Sequence, residues 1–481
     1  MSFVIYDVET TGLTKGFDQM VEFASVRTDS TLAITDEFQI RCRLMPHVIP
    51  SPEAMRVTGL RIEQLLDTSL PSHYAMVTEV RGVLESWCPT LFLGYNSLSF
   101  DEEFLRQAFY QCLYSPFLTN THGSARADIL NLCRLTAALR PDVIRPAQDE
   151  SGRAVFKLQA LAEANSVAAL YSHSAMADVT TTLALCQHVR RGAPEIWSQF
   201  LRFSQKASVE SFITGEDAFL IWETFGNNPR ARVVTPIGKH DELAIRHYCL
   251  DLNTDLDAFR GMSDDALTSL CKDARRPIVT VRTNAAPTLW AIHDATQEHL
   301  APFENEDQVL EQVSQLRKDT AFLERLRKAA QAAEPTYPPS AYVEEQLYEG
   351  GFPSPQDETL MQRFHTALWE ERPALAMQLS DARYRRLALR LIYLERPDLL
   401  GIKQRCAVDV RLRKRLLSPL DAIVPWRSIP AAQHDVQTLL ASGLDADDLA
   451  SQLRYSSYLE ERADELAGQV GGTLTLPSKS A

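Results

Sequence analysis

The sequence lacks the features that mark membrane and exported proteins. Its 481 residues contain no apolar run of about 18 residues or more, the length at which a transmembrane helix is expected. Residues 1–7 contain no basic segment followed by a long apolar one, so they do not have the pattern of a signal peptide and instead predict a first β-strand. We therefore expect a cytoplasmic protein without a membrane span.

Cysteine is scarce and widely scattered, which excludes a disulfide framework and a zinc site of the usual spacing. The chain has eight cysteines and no C-x-x-C pair. Such a distribution is typical of free thiols buried in proteins of a reducing compartment. We therefore predict free, buried side chains at positions 42, 88, 112, 133, 186, 249, 271 and 406.

Basic charge is also in short supply. The chain has 49 Lys and Arg against 63 Asp and Glu, a net charge of −14, which argues against a general polyanion binder. Residues 1–190 contain 15 basic and 21 acidic residues, a balance of −6, and 13 of the 15 bases are Arg. Because Arg suits bidentate phosphate contacts, this region is compatible with nucleic acid binding along a limited track.

The chain is too long for one core, and its pattern changes twice. Residues 1–190 alternate strands and helices, which predicts an α/β domain with a mixed sheet. Short strands separated by turns follow over about 200–300 and predict a small barrel or sandwich, before a helical run over 306–333. A proline-rich linker at 335–339 precedes an almost wholly helical pattern over about 343–467 and a polar tail.

Two acids at the end of the first strand form the first candidate site. Asp7 and Glu9 stand two residues apart in the sequence IYDVETTG, so both side chains leave the same face of a strand. Carboxylates held together in this way repel each other unless a cation lies between them. Solvated acids at a strand end are the alternative, and the apolar strand before them and the Thr-Thr-Gly turn after them favour a site.

A single acid follows the next buried strand. Asp101 comes after the predicted strand Leu91–Tyr95 and a short loop, at the start of a predicted helix. A helix N-cap is the ordinary role of an acid at such a position. Asn96, directly after the strand, favours a ligand instead, because α/β folds place their sites at the carboxyl ends of strands.

The third pattern joins a histidine to an acid. His173 and Asp178 are five residues apart, which suits a His on a loop and an Asp in the first turns of the apolar helix that follows. Compensation of the helix dipole would explain Asp178 alone, but it offers no reason for His173. Together the three patterns give the order acid pair, acid, His plus acid.

This order resembles the His-containing branch of the DEDD exonuclease superfamily. The motifs D-x-E-T, N-x4-D and H-x4-D stand here as residues 7–10, 96–101 and 173–178, and residues 57–60, VTGL, resemble the motif that packs near the 3′-terminal nucleotide. Residues 94–106, 138–141, 173–179 and 345–352 are further similar to the bacterial exodeoxyribonuclease I family. This likeness runs over almost the whole chain.

The resemblance implies a three-domain architecture of class α/β. It comprises an RNase H-like mixed-sheet exonuclease domain over 1–191, an SH3-like β-barrel domain with a trailing helix over 196–334, an all-helical domain over 342–470 and a disordered tail over 471–481. It also implies two Mg²⁺ ions, replaceable by Mn²⁺, held by acids, with a histidine as general base. The implied catalytic residues are Asp7, Glu9, Asp101, His173 and Asp178, of which the four acids are the metal ligands.

The family resemblance also implies contacts to the DNA strand. These involve Glu9, Thr58, Arg106, Arg134 and Lys157, the last of which stands where the family carries Arg. Tyr114 and Phe117 are further candidates for base stacking, with ordinary core packing as the alternative.

The function implied is 3′→5′ exonuclease degradation of single-stranded DNA to 5′-mononucleotides, in DNA repair and recombination, by a monomer. The implied protein partner is the acidic C-terminal tail of single-strand DNA-binding protein, with Arg140 and the basic run 411–415 as candidate docking charges and solvated helix faces as their alternative. Two other functions stay open: a related exonuclease directed at RNA, and a non-catalytic scaffold that binds single strands. The RNA-directed exonuclease differs in how its site treats the 2′-OH of RNA. Loss of one of the carboxylates would indicate the non-catalytic scaffold.

Overall fold

A five-stranded mixed sheet forms the centre of the N-terminal region in the computed structural model, which describes residues 2–167, 174–225, 228–273, 276–468 and 474. Its strand order is β3-β2-β1-β4-β5; the pairs β1–β2 and β2–β3 are antiparallel, whereas β1–β4 and β4–β5 are parallel. The strands, with a small antiparallel pair β6–β7, are β1 (Phe3–Thr10), β2 (Met20–Thr28), β3 (Ile34–Arg41), β4 (Leu91–Gly94), β5 (Ala125–Asp128), β6 (Ala147–Gln148) and β7 (Ala154–Val155).

Helices cover both faces of this sheet. The predicted helices near 102–112, 158–164 and 177–189 are confirmed, with shifts of up to three residues at their ends, whereas the helices between residues 52 and 87 were not predicted. The helices are α1 (Pro52–Thr58), α2 (Ile62–Leu65), α3 (His73–Trp87), α4 (Asp101–Gln111), α5 (Ile129–Leu139), α6 (Leu158–Ala164) and α7 (Ala175–Gly192). The predicted mixed α/β fold is therefore confirmed.

The middle region holds a second five-stranded sheet, which is antiparallel and has the order β11-β10-β9-β8-β12. Its elements are α8 (Pro194–Phe203), α9 (Lys206–Gly215), β8 (Phe219–Phe225), β9 (Asn228–Lys239), β10 (Arg246–Asp251), α10 (Leu256–Arg260), α11 (Asp264–Lys272), β11 (Ile278–Arg282), β12 (Leu289–Ala291), α12 (Gln297–Leu300), α13 (Glu306–Leu316) and α14 (Thr320–Ala332). The pairing defines a sheet, and its closure into an SH3-like barrel stays a prediction. The helical run predicted over 306–333 is two helices.

The C-terminal region is helical, as the sequence predicts, and the proline-rich segment before it has no regular secondary structure. A 3-10 turn over Val343–Tyr348 precedes helices α15 (Pro355–Thr366), α16 (Arg372–Gln378), α17 (Ala382–Glu395), α18 (Ile402–Leu416), α19 (Ile429–Ala441) and α20 (Ala446–Gly468). The predicted disordered tail lies outside the described residues except at Leu474, which is buried and donates its backbone N–H to Tyr393 Oη at 2.6 Å.

The central sheet shares one hydrophobic core with each added region. Val4, Tyr6 and Val8 on one face of β1 belong to a continuous core that extends into the C-terminal helices. Phe3 and Ile5 on the other face belong to a core that continues through α7 into the middle sheet. The domain bounds drawn from the sequence stay predictions, and the shared cores imply that the regions are not independent folding units.

Two expectations about the bulk of the chain can be compared with the structure. The eight cysteines are free, and six are buried, but Cys88 is only partly buried and Cys406 is exposed. The prediction of a buried thiol was therefore wrong at Cys406, on the outer face of α18. In the described part of the chain, no helix has both the length and the apolar character needed to cross a membrane.

Candidate active site

Strand β1 directs two acids toward helix α7. Side chains alternate along a strand, so Asp7 and Glu9 leave the same face as the core residues Phe3 and Ile5. The apolar half of this face anchors the strand, and its polar end lies at the edge of the sheet. Helix α7 packs across β1 and carries Asp178 in its first turn. The predicted acid pair is therefore brought toward the predicted Asp178.

Asp101 reaches the same edge from the neighbouring parallel strand. It is the first residue of α4, only 3% exposed, and its Oδ1 accepts a hydrogen bond from the backbone N–H of Val8 at 3.1 Å. Val8 lies between Asp7 and Glu9, so this bond ties Asp101 to the strand that carries the acid pair. Parallel strands β1 and β4 end at this edge, as the sequence reasoning required.

A glutamine that the sequence analysis did not consider holds the fourth acid. Gln159, on α6, donates from Nε2 to Asp178 Oδ1 at 2.8 Å. The side-chain amide fixes one of the carboxylate oxygens of Asp178. His173, the predicted general base, lies outside the described residues, and its role stays a prediction.

Burial and nearby carboxylates raise the pKa values of three of the four acids. Burial and then the nearby carboxylates of Asp101, Glu9 and Asp178 raise the pKa of Asp7 well above its usual range. Burial, Glu22 and Asp178 raise the pKa of Glu9 to about 8, and burial is also the main cause that raises the pKa of Asp101 to about 7. Mutual repulsion among acids at a sheet edge is the electrostatic pattern of a cation site.

The donor set fits a hard divalent cation. The acids offer only oxygen ligands, which Mg²⁺ prefers. Across the described residues, no three His, Cys, Asp or Glu side chains converge closely enough to form a finished metal cage. Mg²⁺ does not require one, because it is usually held by one or two carboxylates together with water and substrate phosphate oxygens.

Two further acids affect this site and were not predicted. Glu22 on β2 lies opposite Glu9 in the sheet and is fully buried, where Arg41 Nε donates to it at 2.7 Å and Gln39 Nε2 at 2.6 Å. Its charge contributes to the raised pKa of Glu9. The alternation of β2 could have indicated a buried acid, but the pairing with Glu9 depends on strand register, which the sequence did not define.

Asp128 is the second missed acid, and it holds the loop before Asp101. Its carboxylate accepts backbone N–H bonds from Asn96 at 2.8 Å, Leu98 at 3.2 Å and Leu130 at 3.0 Å. Asn96 adopts a left-handed conformation with φ 60°, which Asn tolerates better than most residues. Asn96 was interpreted as evidence for a ligand position, and in the structure it shapes the turn that leads to Asp101.

A buried carboxylate next to Asp101 organises the base of the site. Glu102 is fully buried and accepts hydrogen bonds from the hydroxyls of Tyr6 at 2.8 Å and Thr119 at 2.6 Å. Arg106 Nε and Arg126 Nη1 donate to it at 2.8 and 2.9 Å, and these charges hold its pKa below the usual range despite burial. The network fixes the residues that adjoin Asp7 and Asp101 in the chain.

Some of the side chains predicted to contact DNA already form hydrogen bonds within the protein, whereas others do not. Arg106 is buried and bonded to Glu102 and Tyr348, and the Thr58 hydroxyl donates to the Ala54 carbonyl at 2.9 Å in the last turn of α1. Arg134 lies beside the Phe156 ring, and its Nε has no hydrogen-bond partner among the described residues. Lys157 is exposed just before α6. Arg134 and Lys157 are thus better placed than Arg106 for phosphate contacts.

The two aromatic candidates have different surroundings. Tyr114 stacks on His365 with ring centroids 3.7 Å apart, so its face is used inside the protein. Phe117 contacts Tyr348 and Phe352 at centroid distances of 6.3 and 5.7 Å, and Phe352 is 79% exposed. Phe117, Tyr348 and Phe352 therefore form an accessible aromatic cluster beside α4. Of these three residues, only Phe117 was predicted from the sequence.

Three of the five predicted docking charges are paired. Arg140 bonds to Asp142 and Glu195, Arg413 to Asp409, and Arg415 to the buried Glu344. Pairing leaves these side chains poorly suited to capture an acidic peptide.

Comparison with known proteins agrees with this geometry. Residues 4–186, the sheet and helices that carry all four acids, match the family model RNase_T, described as an exonuclease. This part of the chain is therefore similar to the RNase_T exonucleases.

The likeness to exodeoxyribonuclease I extends beyond that domain. The chain is 26% identical to exodeoxyribonuclease I of Escherichia coli (strain K12) over 401 residues, which cover 80% of this chain and 84% of that protein. It is 31% identical to the Haemophilus influenzae protein of the same name over 275 residues, 55% and 57% of the two chains. The zinc-bound crystal structure of the E. coli protein with single-stranded DNA matches with TM-score 0.81 and 24% identity, covering 97% and 99%. The predicted resemblance is confirmed.

Proposed function

We propose that this protein is a 3′→5′ exonuclease that degrades single-stranded DNA to 5′-mononucleotides. The observation that carries the proposal is the meeting of Asp7, Glu9, Asp101 and Asp178 at one edge of a domain that matches an exonuclease family model, where burial and nearby carboxylates raise the pKa values of the first three. Phosphodiester hydrolysis at two divalent metals is the chemistry that such acids serve.

Asp7, Glu9, Asp101 and Asp178 are the residues that would hold two Mg²⁺ ions, with Mn²⁺ as a substitute. The chemistry supplied by the bound cations is stabilisation of charge on the attacking and leaving oxygens. Gln159 keeps Asp178 oriented, and the Val8 N–H keeps Asp101 against β1. We assign His173 the task of accepting the proton of the attacking water, as the sequence motif predicts.

The strand would run along a track between the nuclease and helical regions. Tyr348 Oη, from the segment before α15, donates to Glu103 Oε2 at 2.7 Å and accepts from Arg106 Nη1 at 3.0 Å, so the two regions are joined beside α4. Phe117 and Phe352 offer aromatic faces there, and stacking with cationic contacts holds single strands without sequence preference. A track of this kind favours a single strand over a duplex.

The partner and cellular setting follow from the same proposal. We assign the enzyme to DNA repair and recombination in the cytoplasm, acting as a monomer and meeting the acidic tail of single-strand DNA-binding protein. Because Arg140 and Arg415 are paired within the chain, we place that docking elsewhere than on these two side chains.

A degradation assay tests the proposed activity. The full-length chain is incubated with 5′-labelled single-stranded DNA, duplex DNA and RNA of one sequence, with Mg²⁺ or with EDTA. We expect a ladder that shortens from the 3′ end on single-stranded DNA, 5′-mononucleotide products, and no cleavage in EDTA. Faster degradation of RNA would favour the RNA-directed alternative, and binding without cleavage would favour the scaffold.

A further inference from the structure

A cavity in the helical region is lined by an unusual excess of arginine. It has a volume of about 260 Å³ and lies between the segment Ala341–Glu344 and helices α17 and α18. Four of its lining residues are arginines and one is a glutamate, a local balance of 4 − 1 = +3. This cavity lies in a chain whose net charge is −14, so the positive charge is a local feature.

Its inner wall is a buried carboxylate between two buried guanidinium groups. Glu344 is 2% exposed, and its Oε1 accepts hydrogen bonds from both Arg390 and Arg415, each 8% exposed. The other carboxylate oxygen, Oε2, is buried and has no hydrogen-bond partner in the described part of the chain. A buried acceptor without a donor is costly, and it is unusual in a native protein.

The two inner arginines are held in place from behind. Arg390 Nη2 donates to Gln111 Oε1 at 2.8 Å, a bond to helix α4 of the nuclease region. The guanidinium of Arg415 lies 5.3 Å from the Phe17 ring and 5.2 Å from the Trp426 ring, a geometry that favours a cation. Fixed guanidinium groups lose little entropy when a ligand binds, so the inner wall is preorganised.

The outer wall supplies charge that the protein does not neutralise. Arg386 and Arg411 line the cavity, are exposed, and form no ion pair with any described residue. The planar guanidinium fork matches tetrahedral oxyanions, which it binds through two parallel hydrogen bonds. The cavity thus combines preorganised inner cations, free outer cations and one unpartnered acceptor.

We propose that this cavity binds inorganic hydrogen phosphate. The arginines would bind its charged oxygens, and its one P–OH would donate to Glu344 Oε2. A carboxylate repels an anion that has no proton to donate, so sulfate and phosphodiesters, both fully ionised at neutral pH, would bind less well. The small volume and the buried inner wall favour a single phosphate group over an extended strand.

Calorimetric titration of the full-length chain in EDTA, at pH 7 and constant ionic strength, tests this proposal. EDTA removes metal from the carboxylate site, which could otherwise retain phosphate. We expect saturable binding of sodium phosphate at one site, and sulfate at least about tenfold weaker. Thymidine 5′-monophosphate has mostly lost its last P–OH proton at pH 7, because the second pKa of a phosphate monoester is about 6. It should therefore bind as weakly as sulfate, and tighter binding of the mononucleotide than of phosphate would overturn the role given to the P–OH.

Two double variants make the test specific. Arg386→Ala with Arg411→Ala should weaken phosphate binding at least about tenfold without changing nuclease activity, since neither side chain belongs to the proposed catalytic site. Lys403→Ala with Lys414→Ala removes the same charge from exposed positions on α18 that do not line the cavity, and should bind as the unmodified chain does. Glu344→Gln, if it folds, should abolish the preference for phosphate over sulfate.

Several results would overturn the proposal. They are absence of saturable phosphate binding, equal affinity for phosphate and sulfate, or unchanged affinity in the Arg386→Ala, Arg411→Ala variant. Binding of only a single-stranded oligonucleotide would make the cavity part of the DNA track, and binding of only an acidic peptide would make it a docking surface. None of these outcomes depends on whether the chain is a nuclease.

Discussion

The sheet edge with Asp7 collects negative charge, whereas the cavity with Glu344 collects positive charge. At the edge, four acids lie together, and Arg41, whose charge acts on Glu9, is bonded to Glu22. In the cavity, the protein places one carboxylate between two buried arginines and leaves two more at the mouth. The acids at the edge need bound cations to neutralise their charge, whereas in the cavity Glu344 already neutralises part of the arginine charge.

This difference separates the effects of removing one charge. Neutralising an acid at the edge relieves repulsion but removes a proposed metal ligand, so activity should fall while the metal-free fold is not weakened. Neutralising Glu344 removes the counter-ion of two buried cations, so the fold should suffer.

Asp7→Asn should reduce cleavage of single-stranded DNA by roughly 10³-fold or more, because the proposed ligands act as a unit. The measurement is kcat on a 5′-labelled strand at saturating Mg²⁺, with circular dichroism as the check on folding. Glu37→Gln, an exposed acid on β3, is the control and should retain full activity. If Asp7→Asn retained more than about a tenth of the normal kcat, Asp7 would not be a metal ligand in the sense proposed.

His173→Ala should lower kcat by roughly 10²–10⁴-fold, the usual contribution of a positioned general base. Binding of Mn²⁺, measured by calorimetry, should hardly change, because His173 is not assigned as a ligand. His188, on the far part of α7 and bonded to the Val143 carbonyl, gives the control variant His188→Ala, which should leave catalysis intact. Loss of a metal site in His173→Ala would make the histidine a ligand instead.

The metal-free protein should become less stable as pH rises from about 4.5 to about 8. Glu9 has a pKa of about 8 in the fold and an ordinary value of 4.5 when unfolded, so between these values the folded state binds more protons. Stability then falls as pH increases. Urea denaturation in EDTA across this range measures the slope, and Mg²⁺ should flatten it. A metal-free stability that rises over the same range would contradict the repulsion assigned to the edge.

Glu344→Gln should destabilise the fold by about 3–5 kcal/mol, the usual cost of removing one partner of a buried charge pair. Glu345→Gln is the matched control: its side chain is exposed, and the change should stay within about 0.5 kcal/mol. Urea denaturation of both variants gives the comparison. Equal stability of Glu344→Gln and the unmodified chain would mean that the inner arginines find other neutralisation.

The contrast also explains what the sequence could predict. Asp7, Glu9 and Asp101 stand in short motifs, and the two-residue period of β1 fixes which way the acid pair points. Glu344 lies 46 residues from Arg390 and 71 from Arg415, so no local pattern joins them. The roles of Glu22 and Asp128 likewise depend on strand register and on a turn from another strand. Side chains in short sequence motifs were predictable, whereas ion pairs between residues distant in the sequence were not.

The smallest expected effect concerns the bond that joins the two regions beside α4. Tyr348→Phe removes the hydroxyl that bonds Glu103 and Arg106 but keeps the ring that packs near Phe117. A net hydrogen bond to a charged group contributes about 1.5–3 kcal/mol, and the shared hydrophobic core would keep the regions assembled. We therefore expect fewer nucleotides to be removed per binding event on a long single strand, with kcat on short oligonucleotides unchanged.

Product lengths measured with an excess of unlabelled trap give the result. The control is Tyr337→Phe, at an exposed linker residue. Unchanged product lengths in Tyr348→Phe would mean that closure beside α4 does not depend on this bond.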